Sequence, residues 1–275
     1  MRPRDCSVMN RHWRIDDIPY ASVERARVVG NPELFYLLTS ASFVEITTEL
    51  YARNLVEYFH NDAEVSDWIE HHWQHEELQH GVALKCYVNH LWPNFDWEHA
   101  YSRFYSEYSP RCAAKPLGPT PALEMVSRCL VETGTATLYT MLGRISPEPV
   151  LQTLARSIKD DEVRHYKYFY RYFLRYQERE RVVQSAVLRT LWNRISEING
   201  EDAYYAFKHV FLERHPERRF HDSDYKVFCR HWKVLARDFY PYEMAVRMFL
   251  KPVQLNRCLR PMTVSLLVTG AKCLL

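Results

Sequence analysis

The chain has 275 residues, 47% of them hydrophobic and 25% charged, which excludes a disordered or collagen-like polymer. Seven glycines are too few for the turns of an all-β barrel or a glycine-loop nucleotide fold, while 14% aromatic residues suit long helices around a bulky interior. A formal charge of +2 is too small to make nucleic acid the expected partner.

The N-terminal run MRPRDCSVMNRHWRIDD has no apolar stretch of the kind a secretory leader needs. The apolar tail from Met262 to Leu275 is too short to span a bilayer and carries Lys272. The seven cysteines (Cys6, Cys86, Cys112, Cys129, Cys229, Cys258 and Cys273) are scattered and never form C-x-x-C. They read as reduced core thiols, so a soluble cytoplasmic protein without membrane attachment is expected.

Residues 1–31 read as an N-terminal extension. Asn31-Pro32-Glu33 supplies an N-cap, a proline at the first helical position and an acid in the first turn. The long helical run that follows breaks near His60-Asn61-Asp62, and Ser66-Asp67 is the expected cap of a second helix ending at Trp92-Pro93-Asn94. A shorter amphipathic piece from Trp97 to Tyr108 leads into a loop from Arg111 to Pro121, and a third helix runs to Arg144. Ser146-Pro147-Glu148 starts a fourth that passes Tyr176. Later breaks fall near Asn199-Gly200, His215-Pro216 and Tyr240-Pro241, and nothing shows strand alternation. The expected fold is all-α and one domain over 1–275: a four-helix core over 32–178 with helical additions over 179–275.

Two of these helices contain Glu-x-x-His, as Glu77-Leu-Gln-His80 and Glu162-Val-Arg-His165. Residues three apart share a helix face, so each pair can offer a carboxylate and an imidazole to one ion. Glu57-Tyr-Phe-His60 matches the same short pattern and reads as incidental. On the helix before each of the first two pairs, roughly thirty residues upstream, lies a further acid: Glu49 and Glu132. Antiparallel helices would bring all six groups to one level, giving the ligand set of a ferritin-like di-iron carboxylate bundle. Four buried glutamates converging without cations would have to be largely protonated or severely destabilising, and two divalent ions would balance the four charges. Carboxylates with imidazole and no thiolate favour iron, with manganese an option in one position.

This section resembles the soluble acyl-carrier-protein desaturases of the ferritin-like superfamily over about residues 40–178. Their W-x-x-E-E-x-x-H-G reads here as Trp73-Gln-His-Glu76-Glu77-Leu-Gln-His80-Gly81, with Tyr87 seven residues beyond the histidine. Their I-x-x-D-E-x-R-H reads as Ile158-Lys-Asp-Asp161-Glu162-Val-Arg164-His165, and the third-helix glutamate with its threonine as Glu132-Thr-Gly-Thr135. The first-helix Thr-Glu reads as Thr48-Glu49. Gln79 replaces an arginine of that family, the loop between the first two helices is cut down, and no match extends into the first 40 or last 95 residues.

Glu45 and Glu49 lie one turn apart; the Thr48-Glu49 match makes Glu49 the expected ligand and leaves Glu45 beside it or in solvent. Glu76 and Asp161 are placed to accept the outer N–H of the imidazoles across the bundle, and Trp73 belongs to the same surroundings. Thr135 either faces an oxygen pocket and assists proton delivery or bonds back to a helix carbonyl. His71, His72 and His75 read as solvated neighbours of the better-placed pair. The stripe Lys167, Arg171, Arg175, Arg179 reads first as a solvated face and second as a dock for an acidic carrier.

The expected activity is that of an O2-dependent non-haem di-iron oxidoreductase attacking an unactivated C–H bond. The resemblance implies a desaturase or hydroxylase acting on an acyl chain, carrier-bound or free, with electrons from an external ferredoxin-like donor and a homodimeric assembly. Competing readings are an amine N-oxygenase, a tRNA-modifying hydroxylase, a ribonucleotide-reductase-like radical subunit, a ferritin- or rubrerythrin-like iron-handling protein and a metal-free helical scaffold, the last opposed by the intact ligand set.

Overall fold

Proline and a capping acceptor start three of the core helices. Asn31 accepts from the Leu34 amide at 2.9 Å ahead of Pro32, which opens α1 (Pro32–Ile46). Thr120 does the same ahead of Pro121 in α6 (Pro121–Ile145). Glu148 accepts from Val150 and Leu151 at 3.0 and 2.8 Å ahead of Pro149 in α7 (Pro149–Glu180). These contacts satisfy amides that an α-helix leaves unpaired. The computed structural model describes residues 13–113, 117–197, 200–256 and 258–274.

Between α1 and α6 lie α2 (Thr48–Tyr58), α3 (Ala63–Trp68), α4 (Gln74–Leu91) and α5 (Trp97–Ala113). After α7 come α8 (Gln184–Glu197), α9 (Glu201–Arg214), α10 (Asp222–Phe239), α11 (Tyr242–Leu250) and α12 (Arg260–Leu274). The described residues contain no strand. The second core helix starts earlier than expected because Asp62, and not Ser66-Asp67, caps it, accepting from the Val65 amide. α3 passes into α4 through a π-turn at Ile69–Trp73. The first core helix is interrupted at Thr47, whose hydroxyl donates to the Phe43 carbonyl at 2.7 Å. The fifth helix runs past Tyr108 to Ala113 and shortens the expected loop.

Two apolar layers are stacked along the core, with a polar layer between them. One contains Leu38 and Phe43 of α1, Ala83 and Leu84 of α4, Tyr139 and Leu142 of α6, and Leu154 and Ile158 of α7. The other contains Leu55 of α2, Trp73, Met125 and Val126 of α6, and Phe169 and Tyr172 of α7. Residue numbers rise from the first layer to the second along α1–α2 and α7, and from the second to the first along α4 and α6. The chain therefore runs up, down, down and up, and α5 crosses between the two middle helices. Each helix passes from one apolar layer to the other at Glu45, at Glu77–His80, at Glu132 and at Asp161–His165.

α9 packs on α1 and α5, while α8, α10 and α11 pack on α6. A strap over residues 13–31, built of short 3-10 turns, lies against α4, where the Tyr20 hydroxyl donates to the Ala83 carbonyl at 3.0 Å. Among the described residues no helix is long and apolar enough to cross a membrane. Cys112 and Cys129 are buried, but Cys258 is exposed, so the reading of every cysteine as a core thiol does not hold.

Candidate metal centre

Helix periodicity delivers the polar layer. Glu77 and His80 share the inner face of α4, and Glu162 and His165 share that of α7. Gly81 fixes the approach of α1 to α4: a Cβ built there would lie 2.5 Å from Ile46 Cγ1 and 2.7 Å from the Ile46 amide nitrogen. Only a residue without a side chain lets α1 come close enough to set Glu45 beside His80.

Two sets of four donors result. Glu45, Glu77, His80 and Glu162 form one, and Glu77, Glu132, Glu162 and His165 form the other. In each set one atom from every residue lies within 4.8 Å of the others, a little more than the ~4.2 Å between ligands on opposite sides of one ion bonded at ~2.1 Å. Glu77 and Glu162 belong to both sets, so each could serve an ion in either one. All six residues are buried, with His80, Glu162 and His165 fully so.

The imidazoles are oriented from behind. His80 Nε2 is 3.0 Å from Asp161 Oδ2, and His165 Nε2 is 2.7 Å from Glu76 Oε2. Each ring thus gives its Nε2–H to a carboxylate and turns Nδ1 inward. Arg164 ties the two supports together, with Nη2 2.8 Å from both Glu76 Oε2 and Asp161 Oδ1. Trp13 of the strap donates its indole N–H to Asp161 Oδ2 at 2.7 Å and stacks on His80, while Gln79 donates to the Trp13 carbonyl at 3.1 Å.

The inward atoms are left over. His80 Nδ1 and Glu162 Oε1 lie 3.1 Å apart, and His165 Nδ1 lies 3.1 Å from Glu77 Oε1 and 3.5 Å from Glu132 Oε2, yet His80 Nδ1, Glu162 Oε1, His165 Nδ1 and Glu132 Oε2 make no hydrogen bond. Buried polar atoms that make no hydrogen bond are costly, and four converging on one place is the arrangement a cation would satisfy. The donors, carboxylate oxygen and imidazole nitrogen, suit iron, manganese or zinc and exclude a thiolate site.

Four carboxylates this close cannot all ionise on their own. Burial, with the charge on Glu162, pushes Glu45 and Glu77 up and raises Glu132 to about 8. Glu162 goes the other way: burial would raise it, but contacts with His165 and His80 hold it well below the usual range. Burial alone would lower both histidines, but the carboxylates around them raise both. Glu76 is also pulled against its burial, to about 2, by His165 and Arg164. The cluster has stored negative charge that protons or metal ions must offset.

The structure brings Glu77, His80, Glu132, Glu162 and His165 together, but Glu49 lies outside. Its side chain is 64% exposed and faces Arg53 one turn on, at 3.6 Å, because the break at Thr47 places it on the outer side of α2. Glu45, on the last turn of α1, occupies the position expected of Glu49. Trp73 donates its indole N–H to Glu132 Oε1 at 3.2 Å. The Thr135 hydroxyl reaches Glu162 Oε2 at 2.7 Å, a closer acceptor than the carbonyls of Val131 and Glu132 at 3.4 and 3.3 Å.

Trp13 and Tyr139 are additions that sequence reasoning missed. Tyr139 lies two turns after Glu132 on the same helix, a spacing that could have flagged it; nothing local points to Trp13. His60 Nδ1 is within 2.8 Å of its own helix's Glu57 carbonyl, and His71, His72 and His75 are exposed. Arg171 pairs with Glu64, and Arg175 with Glu64 and Asp62, so half of the basic stripe is engaged within the chain. No family model matches the chain, and neither a curated protein nor a solved structure does.

Proposed function

We propose that this chain is an O2-dependent non-haem di-iron oxidoreductase on a ferritin-like bundle, attacking an unactivated C–H bond in an apolar substrate such as an acyl chain. The observation that carries the reading is the pair of four-donor sets sharing Glu77 and Glu162. An up-down-down-up core with one long crossover is the topology on which such centres occur. One ion would be held by Glu45 and His80, the other by Glu132 and His165, with Glu77 and Glu162 common to both. The metals would supply the O2-dependent redox chemistry when bound.

The chain's own residues do the rest. Asp161 and Glu76 hold the imidazoles in the tautomer that presents Nδ1, and Arg164 keeps both carboxylates ionised. Thr135 holds a proton against Glu162 Oε2, where the hydroxyl can pass it to a reacting oxygen or restore it afterwards. The apolar layers on either side exclude water from the layer between them. An external ferredoxin-like protein is the proposed electron source, an acyl thioester on a carrier the proposed substrate form, and a homodimer the proposed assembly.

The test is O2 uptake by iron-loaded protein with a chemical reductant and a panel of acyl thioesters, followed by product analysis. Substrate-dependent uptake with a new double bond or hydroxyl is the expected result. Uptake that never depends on an acyl substrate would overturn the substrate assignment, and oxidation of an amine or of tRNA would move the activity to those classes.

A further inference from the structure

We infer that Tyr139 is a positioning residue for Glu45 and sets the affinity of the Glu45–His80 half of the centre separately from the other half. The inference rests on the metal-centre reading above. Tyr139 stands on α6 in the first apolar layer, 1% exposed, and its hydroxyl donates across the core to Glu45 Oε1 on α1. In the other half the indole of Trp73 makes the equivalent contact, donating to Glu132 Oε1.

Each outer carboxylate therefore has one oxygen committed to an aromatic donor, which leaves its second oxygen for an ion. Glu132 Oε2 fits that division, since it is buried and makes no hydrogen bond.

The two acids differ in how firmly their own helix holds them. Glu132 sits in the middle of α6, a helix of 25 residues, with turns on both sides. Glu45 sits on the last turn of α1, one residue before the end at Ile46 and two before the interruption at Thr47. A helix end constrains backbone and side chain less than a helix middle. Glu45 is thus the acid that most needs a cross-bundle donor to stay at the His80 level. A buried phenol needs an acceptor for its proton in any fold, and that role alone would make Tyr139 a stabilising contact with no preference between the two halves.

Anaerobic Fe(II) titration of the full chain separates these roles, with melting temperature and helical dichroism followed in parallel. The wild type is expected to take up two ions. Tyr139→Phe should keep one at wild-type affinity and bind the other about 10- to 100-fold more weakly, the usual cost of removing a group behind a metal ligand. Adding His165→Ala to Tyr139→Phe should remove the remaining ion, whereas adding His80→Ala should leave it. Two ions at wild-type affinity in Tyr139→Phe, or equal weakening of both, would overturn the inference.

A second measurement does not depend on that variant folding. In the wild type a tyrosine ultraviolet difference signal should accompany one binding step only and vanish in Glu45→Gln; its absence, or its persistence in Glu45→Gln, overturns the inference as well. If the wild type binds two ions but consumes no O2 with substrate, the oxidoreductase reading fails while the assignment of Tyr139 is decided by the titration. If the wild type binds no ion, both fall.

Discussion

Glu132 and His165 are supported by Trp73 and Glu76, three residues apart on one continuous helical run, whereas Glu45 and His80 draw on three separate parts of the chain. Tyr139 comes from α6, Asp161 from α7 and, through Asp161, Trp13 from the strap that precedes the core. The supports of the Glu132–His165 half keep their relative places by helical periodicity alone, although the ligands they reach stand on α6 and α7. The dispersed half needs the correct approach of α1 to α4 and the docking of the strap before its ligands meet. Arg164 contacts the supports of both halves.

What the halves share is best disturbed by pH. Glu45, Glu77 and Glu132 are raised, the last to about 8, and His80 and His165 are raised too. Groups held above their unfolded values stabilise the fold fully at low pH and lose that contribution as pH climbs through the folded value. For Glu132 the window opens near the ordinary carboxylate range and closes near pH 8. Glu76 and Asp161 are lowered, so their contribution is present above the ordinary carboxylate range and is lost as pH falls, for Glu76 toward about 2. Protein stripped of metal by a chelator should therefore melt about 5–10 °C lower at pH 8 than at pH 5.5. Protein loaded with a divalent ion should lose much less over that range, since the ion takes the place of the protons. Parallel melting curves across pH check both.

The dispersed half alone is exposed to Gly81→Ala. The added methyl meets the Ile46 backbone, which cannot move aside like the tip of a flexible side chain, so a destabilisation of about 2–3 kcal/mol is expected. Denaturant unfolding measures it, and a metal titration should show the Glu45–His80 ion lost before the other. Equal loss of both ions would contradict the comparison.

A smaller effect sharpens the same contrast. Asp161→Asn keeps the side-chain shape but removes the charge facing His80, and should weaken one ion about 10- to 100-fold by the same titration. Trp13→Phe, which removes only the indole donor to Asp161, should act in the same direction by less than tenfold. The smallest effect belongs to Glu49→Ala. An exposed pair with Arg53 contributes little, so stability should stay within about 0.5 kcal/mol and metal content should not change.

The contrast also shows what could be read before the structure. The paired Glu-x-x-His segments, Glu132 and Glu76 lie on regular helices, so counting along the helix places them relative to one another, and Trp73 ends the π-turn that leads into the same run. Asp161, next to Glu162, could be read in the same way. Glu45 could not, because counting from Pro32 through residue 58 assumes one unbroken helix and the interruption at Thr47 turns Glu49 outward. Two local signals pointed the right way: Arg53 four residues after Glu49, the spacing of an exposed ion pair, and Gly81, which permits close approach of a neighbouring helix. Trp13 reaches Asp161 from 148 positions away in the chain, a contact that no local pattern encodes. The all-helical character followed from few glycines, proline-marked starts and missing strand alternation, while the π-turn at Ile69–Trp73 lies within a run that reads as ordinary helix.

Elemental analysis after anaerobic Fe(II) loading, on the wild type beside a Glu77→Ala/Glu162→Ala variant, tests the central claim most directly. The shared carboxylates predict about two ions per wild-type chain and none retained by the variant while its helical dichroism persists. A wild type that takes up no metal, or a variant that keeps both ions, would contradict the account.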